Sequence, residues 1–156
     1  MNLLEKLQEN GVALQEKRRE SIMALETEMK KHEQLEMPLT HHHFHKGYGR
    51  ELFIPAGTLL VGKIHKHQTL NILLEGDISL LTEEGTKRVQ APFTVVSKPG
   101  IKRVGYAHTD CKWLTVHGTE ETDLEKIEEE VIAKDYSEVE QLDEWEVKLI
   151  QEMKKE

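Results

Sequence analysis

A single cysteine, Cys111, stands among the 156 residues. That excludes an intrachain disulfide and any cysteine-rich zinc motif, and Cys111 reads as an ordinary small strand residue. No charged n-region followed by an apolar stretch opens the sequence, and no apolar run approaches a membrane span. A soluble protein of a reducing cytoplasm, without a membrane partner, is the expectation. A nucleophile elbow and a phosphate-cradling glycine loop are both missing, and Ser21, Ser79, Ser97 and Ser137 have no suggestive context. Nucleophilic hydrolysis finds no support. A basic excess is also missing: the net charge is -8. Nucleic acid is therefore not an expected partner, because phosphate binding needs a basic footprint.

What is present is unevenly distributed. Apolar residues make up 37% and charged residues 32%, so a compact core lies under a large surface. Residues 1–35 carry a net charge of -1, residues 36–118 of +3 and residues 119–156 of -10. A mildly basic middle with room for a small anion separates a balanced arm from an acidic tail.

Residues 1–35 read as a helical arm, with Leu4, Leu7, Leu14, Ile22, Leu25 and Met29 along a narrow stripe. Gly11 predicts a break near the start and Pro38 the end of the helix. Such a stripe suits a neighbouring chain or a loose coiled coil, or equally the protein's own barrel. Residues 36–49 read as a histidine-rich linker containing His41, His42, His43 and His45. In an extended chain His41, His43 and His45 share one side. A polar linker on the barrel rim is the expectation, with a metal or pH-sensitive patch as the alternative.

Residues 50–118 alternate short strand patterns with turn signals, the texture of an all-β sandwich or barrel. Residues 119–156 predict two acidic amphipathic helices. Thr122–Glu125 is the capping box of the first, and Ser137–Glu140 introduces the second with Leu142, Trp145, Leu149 and Met153.

The segment from Pro55-Ala56-Gly57-Thr58 to Leu74-Glu75-Gly76-Asp77 resembles the first cupin motif. Ser97-Lys98-Pro99-Gly100-Ile101-Lys102-Arg103 resembles the second. The resemblance covers about half of the chain. It implies a mainly β fold: an antiparallel cupin barrel (double-stranded β-helix) with an N-terminal helical arm and C-terminal acidic helices. Gly62-Lys63-Ile64-His65-Lys66-His67, Ser97-Lys98-Pro99-Gly100 and Gly105-Tyr106-Ala107-His108 are similar to small cupin-like proteins of tailed bacteriophages. That likeness implies an infected host's cytoplasm, or the virion, as the location.

The resemblance also implies a metal site of two histidines, a glutamate and a third histidine. Here those positions carry Lys63, His65, Thr69 and Arg103, so one of the four matches a ligand. An alternative metal set is His65 and His67, two apart on a strand and thus facing one side, with His108 as third ligand for a divalent transition metal. Lys63 and Arg103, with His65, form an alternative anion site for phosphate or carboxylate. A polar pocket holding no ligand is the plain alternative. Trp113 is expected to fill the barrel, and Tyr48 and Tyr106 to pack.

Three functions follow as expectations. The first is a non-enzymatic structural or assembly module, a homo-oligomer that meets other phage virion proteins. The others are a metal-dependent enzyme acting on a small molecule and a small-anion-binding module.

Overall fold

The computed structural model describes residues 3–135 together with Ser137 and Glu138. Helix α1 (Leu3–Met29) is followed by a run of strands: β1 (Leu39–Phe44), β2 (Gly47–Ile54), β3 (Leu59–Val61), β4 (Ile64–His65), β5 (Thr69–Glu75) and β6 (Asp77–Thr82). Then come β7 (Gly85–Gln90), β8 (Phe93–Ser97), β9 (Val104–Ala107) and β10 (Cys111–Gly118). Helix α2 (Leu124–Val131) and β11 (Ile132–Ala133) complete it. The strands form two antiparallel sheets, ordered β1-β2-β10-β5-β8 and β3-β9-β6-β7, with β11 paired to β4.

This is the mainly β, antiparallel double-stranded β-helix barrel that the motifs predict, with a helix near each end. Alternation builds its interior. Ile54, Leu73, Ile78, Leu80, Val89, Ala107 and Cys111 form one buried cluster, with Leu52, Leu60 and Trp113 packed against it. Each fully buried Ile or Leu stabilises the fold by about 1.5–3 kcal/mol. The Leu74-Glu75-Gly76 turn carries the chain from β5 in one sheet to β6 in the other. Gly76 has φ +101°, and a Cβ there would lie 2.5 Å from the Asp110 carbonyl oxygen. Glycine is therefore required at this corner.

Several expectations are corrected. Helix α1 runs through Gly11 without a break, since one glycine costs only about 1 kcal/mol against the surrounding Leu, Glu, Lys and Arg. It ends at Met29, well before Pro38. Of the two placements open to the arm, its own barrel is the one that its second half takes: Ile22 is buried, and Arg19 pairs with Glu83 at the β6–β7 turn. Arg18 donates to the Glu83 carbonyl at 3.1 Å, and Lys102, itself buried, meets Glu26 at 2.5 Å. Burial pushes the Glu26 carboxyl up, but Lys102 and Lys30 outweigh it and hold it below the usual range.

The histidine-rich segment is not a linker but the edge strand β1, paired with β2 from Leu39↔Leu52 to Phe44↔Gly47. The apolar run from Leu59 to His65, which by its pattern reads as one strand, forms two, β3 and β4, parted at Gly62 and Lys63. The N-cap of α2 is Asp123 rather than Thr122; its carboxylate accepts from the amides of Glu125 and Lys126. The second acidic helix falls, from Val139 on, outside the described residues. Among the described residues no helix is long and apolar enough to cross a membrane.

Candidate functional site

The barrel encloses a cavity of about 110 Å³, whose walls come from both sheets. Register decides what faces it. Thr115 of β10 stands opposite Arg50 of β2 on one side and Asn71 of β5 on the other. Two residues along, His117 stands opposite Tyr48. Trp113, Thr115 and His117 thus share the inner face of β10, as period two requires.

Asn71 organises the wall. It is 1% exposed, and its amide donates to Thr69 Oγ1 at 3.0 Å and Ser97 Oγ at 2.8 Å. Its oxygen accepts from Thr115 Oγ1 at 3.0 Å and Trp113 Nε1 at 3.3 Å. A buried amide satisfied on both sides is fixed in place and fixes its partners. Ser97 also accepts from Arg103 Nη2, and the Arg103 guanidinium lies over the Trp113 ring, 5.6 Å from its centroid. These direct contacts of Arg103 are neutral, and the Glu84 charge acts on it from further off, partly offsetting its burial. Burial pulls its pKa down, and no ion pair joins it to a carboxylate among the described residues.

The Pro99-Gly100 turn ties this wall to the next. Gly100, at φ +89°, donates its amide to the His65 carbonyl at 2.9 Å, and the amide of Gly62 donates to the Arg103 carbonyl at 2.8 Å. His65 therefore stands beside Arg103. Its ring lies 5.2 Å from that of His117, which in turn stacks on Tyr48 at 6.2 Å. Burial first, then His117, Arg103, Arg50 and Lys63, lower the His65 pKa to about 3. Burial, then Arg50 and His67, lower that of His117 to about 4. Both imidazoles are neutral at pH 7. His117 Nδ1 is buried without a hydrogen-bond partner.

A second cavity of about 240 Å³ lies between α2 and the barrel, lined by Leu124, Ile127 and Glu128 on the helix side. Arg50, Lys63, His65, His117 and Ile132 line both cavities, so they form the wall between vestibule and interior. Among the described residues Arg50 has no ion-pair partner. The inner cavity has three cationic side chains, Arg50, Lys63 and Arg103, and no Asp or Glu in its lining.

The proposed ligands fare differently. Lys63, His65 and Arg103 do meet at one cavity, although Lys63 Nζ is paired with Glu128. His65, His67 and His108 do not converge. Strand β4 ends at His65, so alternation does not extend to His67, which is exposed. On β9, Gly105 lines the cavity and Ala107 belongs to the interior cluster. His108 instead meets Ser79 at 2.7 Å and Tyr106 edge-on at 5.0 Å, away from the cavity lining. Among the described residues no three His, Cys, Asp or Glu are grouped to hold a metal ion. The cupin metal positions hold Lys63, His65, buried Thr69 and Arg103. Two arginines beside His65 and no carboxylate in the lining of the inner cavity are a donor set that does not fit a divalent cation there.

Arg50 and His117, not singled out above, complete the site. Their signal is the period-two pattern that runs back from Leu52 and forward from Trp113.

No family model matches the chain, and no curated protein matches it. Among solved structures it resembles ectoine synthase from P. lautus at 15% identity, with 65% of this chain and 78% of that one covered and a TM-score of 0.52. It also resembles an RmlC-like cupin family protein with a double-stranded β-helix fold from Methanocaldococcus jannaschii, at 11% identity, 55% and 82% coverage and a TM-score of 0.46. A cupin-2 domain containing protein from Shewanella frigidimarina is similar at 12% identity, 60% and 91% coverage and a TM-score of 0.43. At such identities the likeness concerns architecture and carries no activity across. None of these neighbours indicates a bacteriophage origin or a virion role. The chain has the cupin fold.

Proposed function

We propose that the protein is a small-anion-binding module whose site is the barrel interior. One observation carries the reading: Arg103 and Arg50 face a cavity that has no carboxylate in its lining, and neither has an ion-pair partner among the described residues. Arg50 is exposed, whereas the half-buried Arg103 loses much of its hydration and has only the Glu84 charge, without an ion pair, to offset it; an anion supplied from outside would satisfy it. Arginine suits this task, because its planar fork donates in pairs to an oxyanion. The hydrogen bond to Ser97 and the Trp113 ring, both fixed in turn by Asn71, hold that fork in place before a ligand arrives.

Thermal unfolding at pH 7 in matched ionic strength tests the reading. Sulfate, phosphate and acetate are each compared with chloride, and zinc with magnesium. The midpoint is expected to rise with at least one oxyanion in a saturable way. If no oxyanion shifts it and zinc does, the reading is wrong and the metal-dependent alternative takes its place.

Self-association is a second reading. Leu70 and Leu74 on β5 and Val96 on β8 are exposed large apolar side chains, and Leu70 pairs with Val96 across the outer sheet face. Such a face supports a homo-oligomer, the expectation drawn from the arm. Sedimentation velocity of the wild type and of a Leu70→Lys/Val96→Lys variant checks it. A wild type that sediments as a monomer would rule it out.

A further inference from the structure

The proposed anion site has chemically different ends, and that difference names a ligand class. Arg50, His65 and His117 form the end shared with the vestibule. Away from that end the lining is apolar: Ile54, Ile78 and Leu80 belong to the buried core cluster, and Leu52 and Leu60 pack against it. A fully hydrated oxyanion such as phosphate would leave this floor unused and would lose water without replacement on that side. We propose that the ligand is a small monocarboxylic acid with a short apolar body, its carboxylate held at the Arg50–Arg103 end and its body on the Ile54–Ile78–Leu80 floor. This rests on the anion reading above and deepens it.

Size limits the body. A cavity of about 150 Å³ holds a benzene ring, and this one measures about 110 Å³. A body of about three to five carbons fills the space, while the carboxylate reaches the wall shared with the larger vestibule. Arg103 is placed to hold the head. One planar face of its guanidinium lies over Trp113 and one Nη2 hydrogen bond is spent on Ser97, so a carboxylate takes the remaining N–H groups. His117 stands at the same wall with Nδ1 unsatisfied, and a neutral imidazole there accepts a hydrogen bond or, as the other tautomer, gives one to the carboxylate.

Calorimetric titration of the intact protein at pH 7 with a ligand series tests the proposal without any variant. The series is acetate, propionate, butyrate, 3-methylbutyrate and octanoate, with inorganic phosphate and neutral 3-methylbutanamide as controls. Affinity is expected to rise about fourfold for each methylene that reaches the floor, to peak near 3-methylbutyrate and to fall at octanoate. Phosphate and the amide are each expected to bind at least about tenfold more weakly than 3-methylbutyrate. If phosphate or acetate binds as tightly as 3-methylbutyrate, the apolar-body proposal fails while the anion reading stands. If the amide binds as tightly as the acid, or if no anion binds, the anion reading fails and this proposal with it.

Discussion

The nine histidines fall into contrasting groups. His41, His42, His43 and His45 lie within five residues on or just after the edge strand β1, and all four are exposed. His65 and His117 are far apart in sequence, yet their rings meet at the wall of a cavity. The dense run catches the eye in the sequence, whereas the separated pair has the chemistry: burial, neighbouring arginines and an unpartnered nitrogen. Strand register, not local density, assembled it. The groups also touch. His41 bonds the Tyr48 hydroxyl at 2.6 Å, His43 packs on the same ring at 5.2 Å, and Tyr48 stacks on His117. The exposed run thus serves as the outer cover of the buried pair.

The strongest way to break this contrast is to remove the charge beside the inner pair. Arg103→Gln is expected to weaken binding of a small carboxylate by about 30-fold or more, because truncating a desolvated charged contact costs about 2–5 kcal/mol. The empty variant is expected to change its thermal midpoint little, since the lost Ser97 and Trp113 contacts are offset by relief of a partly desolvated charge that has no ion pair. Calorimetry and thermal unfolding together read both effects, and a variant that binds normally would overturn the role given to Arg103.

Next in size is the support behind it. Asn71→Ala strands Ser97, Thr115 and the Trp113 indole, and about 2–3 kcal/mol of stability is expected to go, measured by urea unfolding. A loss under about 0.5 kcal/mol would show that the network is not what fixes the wall.

The histidines themselves give the third effect. An unfolded histidine titrates near 6.5, whereas burial lowers His65 to about 3 and His117 to about 4. Between those values the unfolded chain takes up protons that the folded one refuses. Their contribution is therefore full above pH 6.5 and is lost as pH falls towards 4 and 3, about 2 kcal/mol from each by pH 5. Urea midpoints from pH 7.5 to 4.5 measure the slope. His117→Gln is expected to flatten it, and an unchanged slope would contradict the burial assigned to that ring.

The smallest effect belongs to Lys63. It is exposed and already paired with Glu128, so Lys63→Met is expected to change stability by less than about 1 kcal/mol and carboxylate affinity by less than about threefold. A larger loss of affinity would move the anion's charge partner from Arg103 to Lys63.

Much of the barrel was legible because its cues are local. Turn residues at Pro55-Ala56-Gly57, Glu75-Gly76, Glu84-Gly85 and Pro99-Gly100 punctuate alternating strands, and each sits at a turn or corner in the fold. Lys63, His65 and Arg103 were found by counting from two of these turns, and the fold brings all three to one cavity. What could not be read locally was the pairing of distant strands. The opposition of Tyr48 to His117 joins positions far apart in the chain. The same blindness made His108 look like a partner for His65, although its contacts are with Ser79 and Tyr106. The placement of the helical arm stayed open between its own barrel and a neighbouring chain for a related reason. A narrow stripe fits any apolar surface, and the ion pairs to Glu83 and Lys102 that choose its own barrel are tertiary.

The central claim is that the barrel interior recognises an anion and not a cation. Proton–nitrogen NMR of the Trp113 indole and the Arg103 guanidinium reads it directly, during titration first with 3-methylbutyrate and then, on fresh protein, with zinc. Saturable shifts of both signals with the carboxylate, and none that saturate with zinc, are the expected result. Stoichiometric zinc binding that moves these signals, with no response to the carboxylate, would contradict the account.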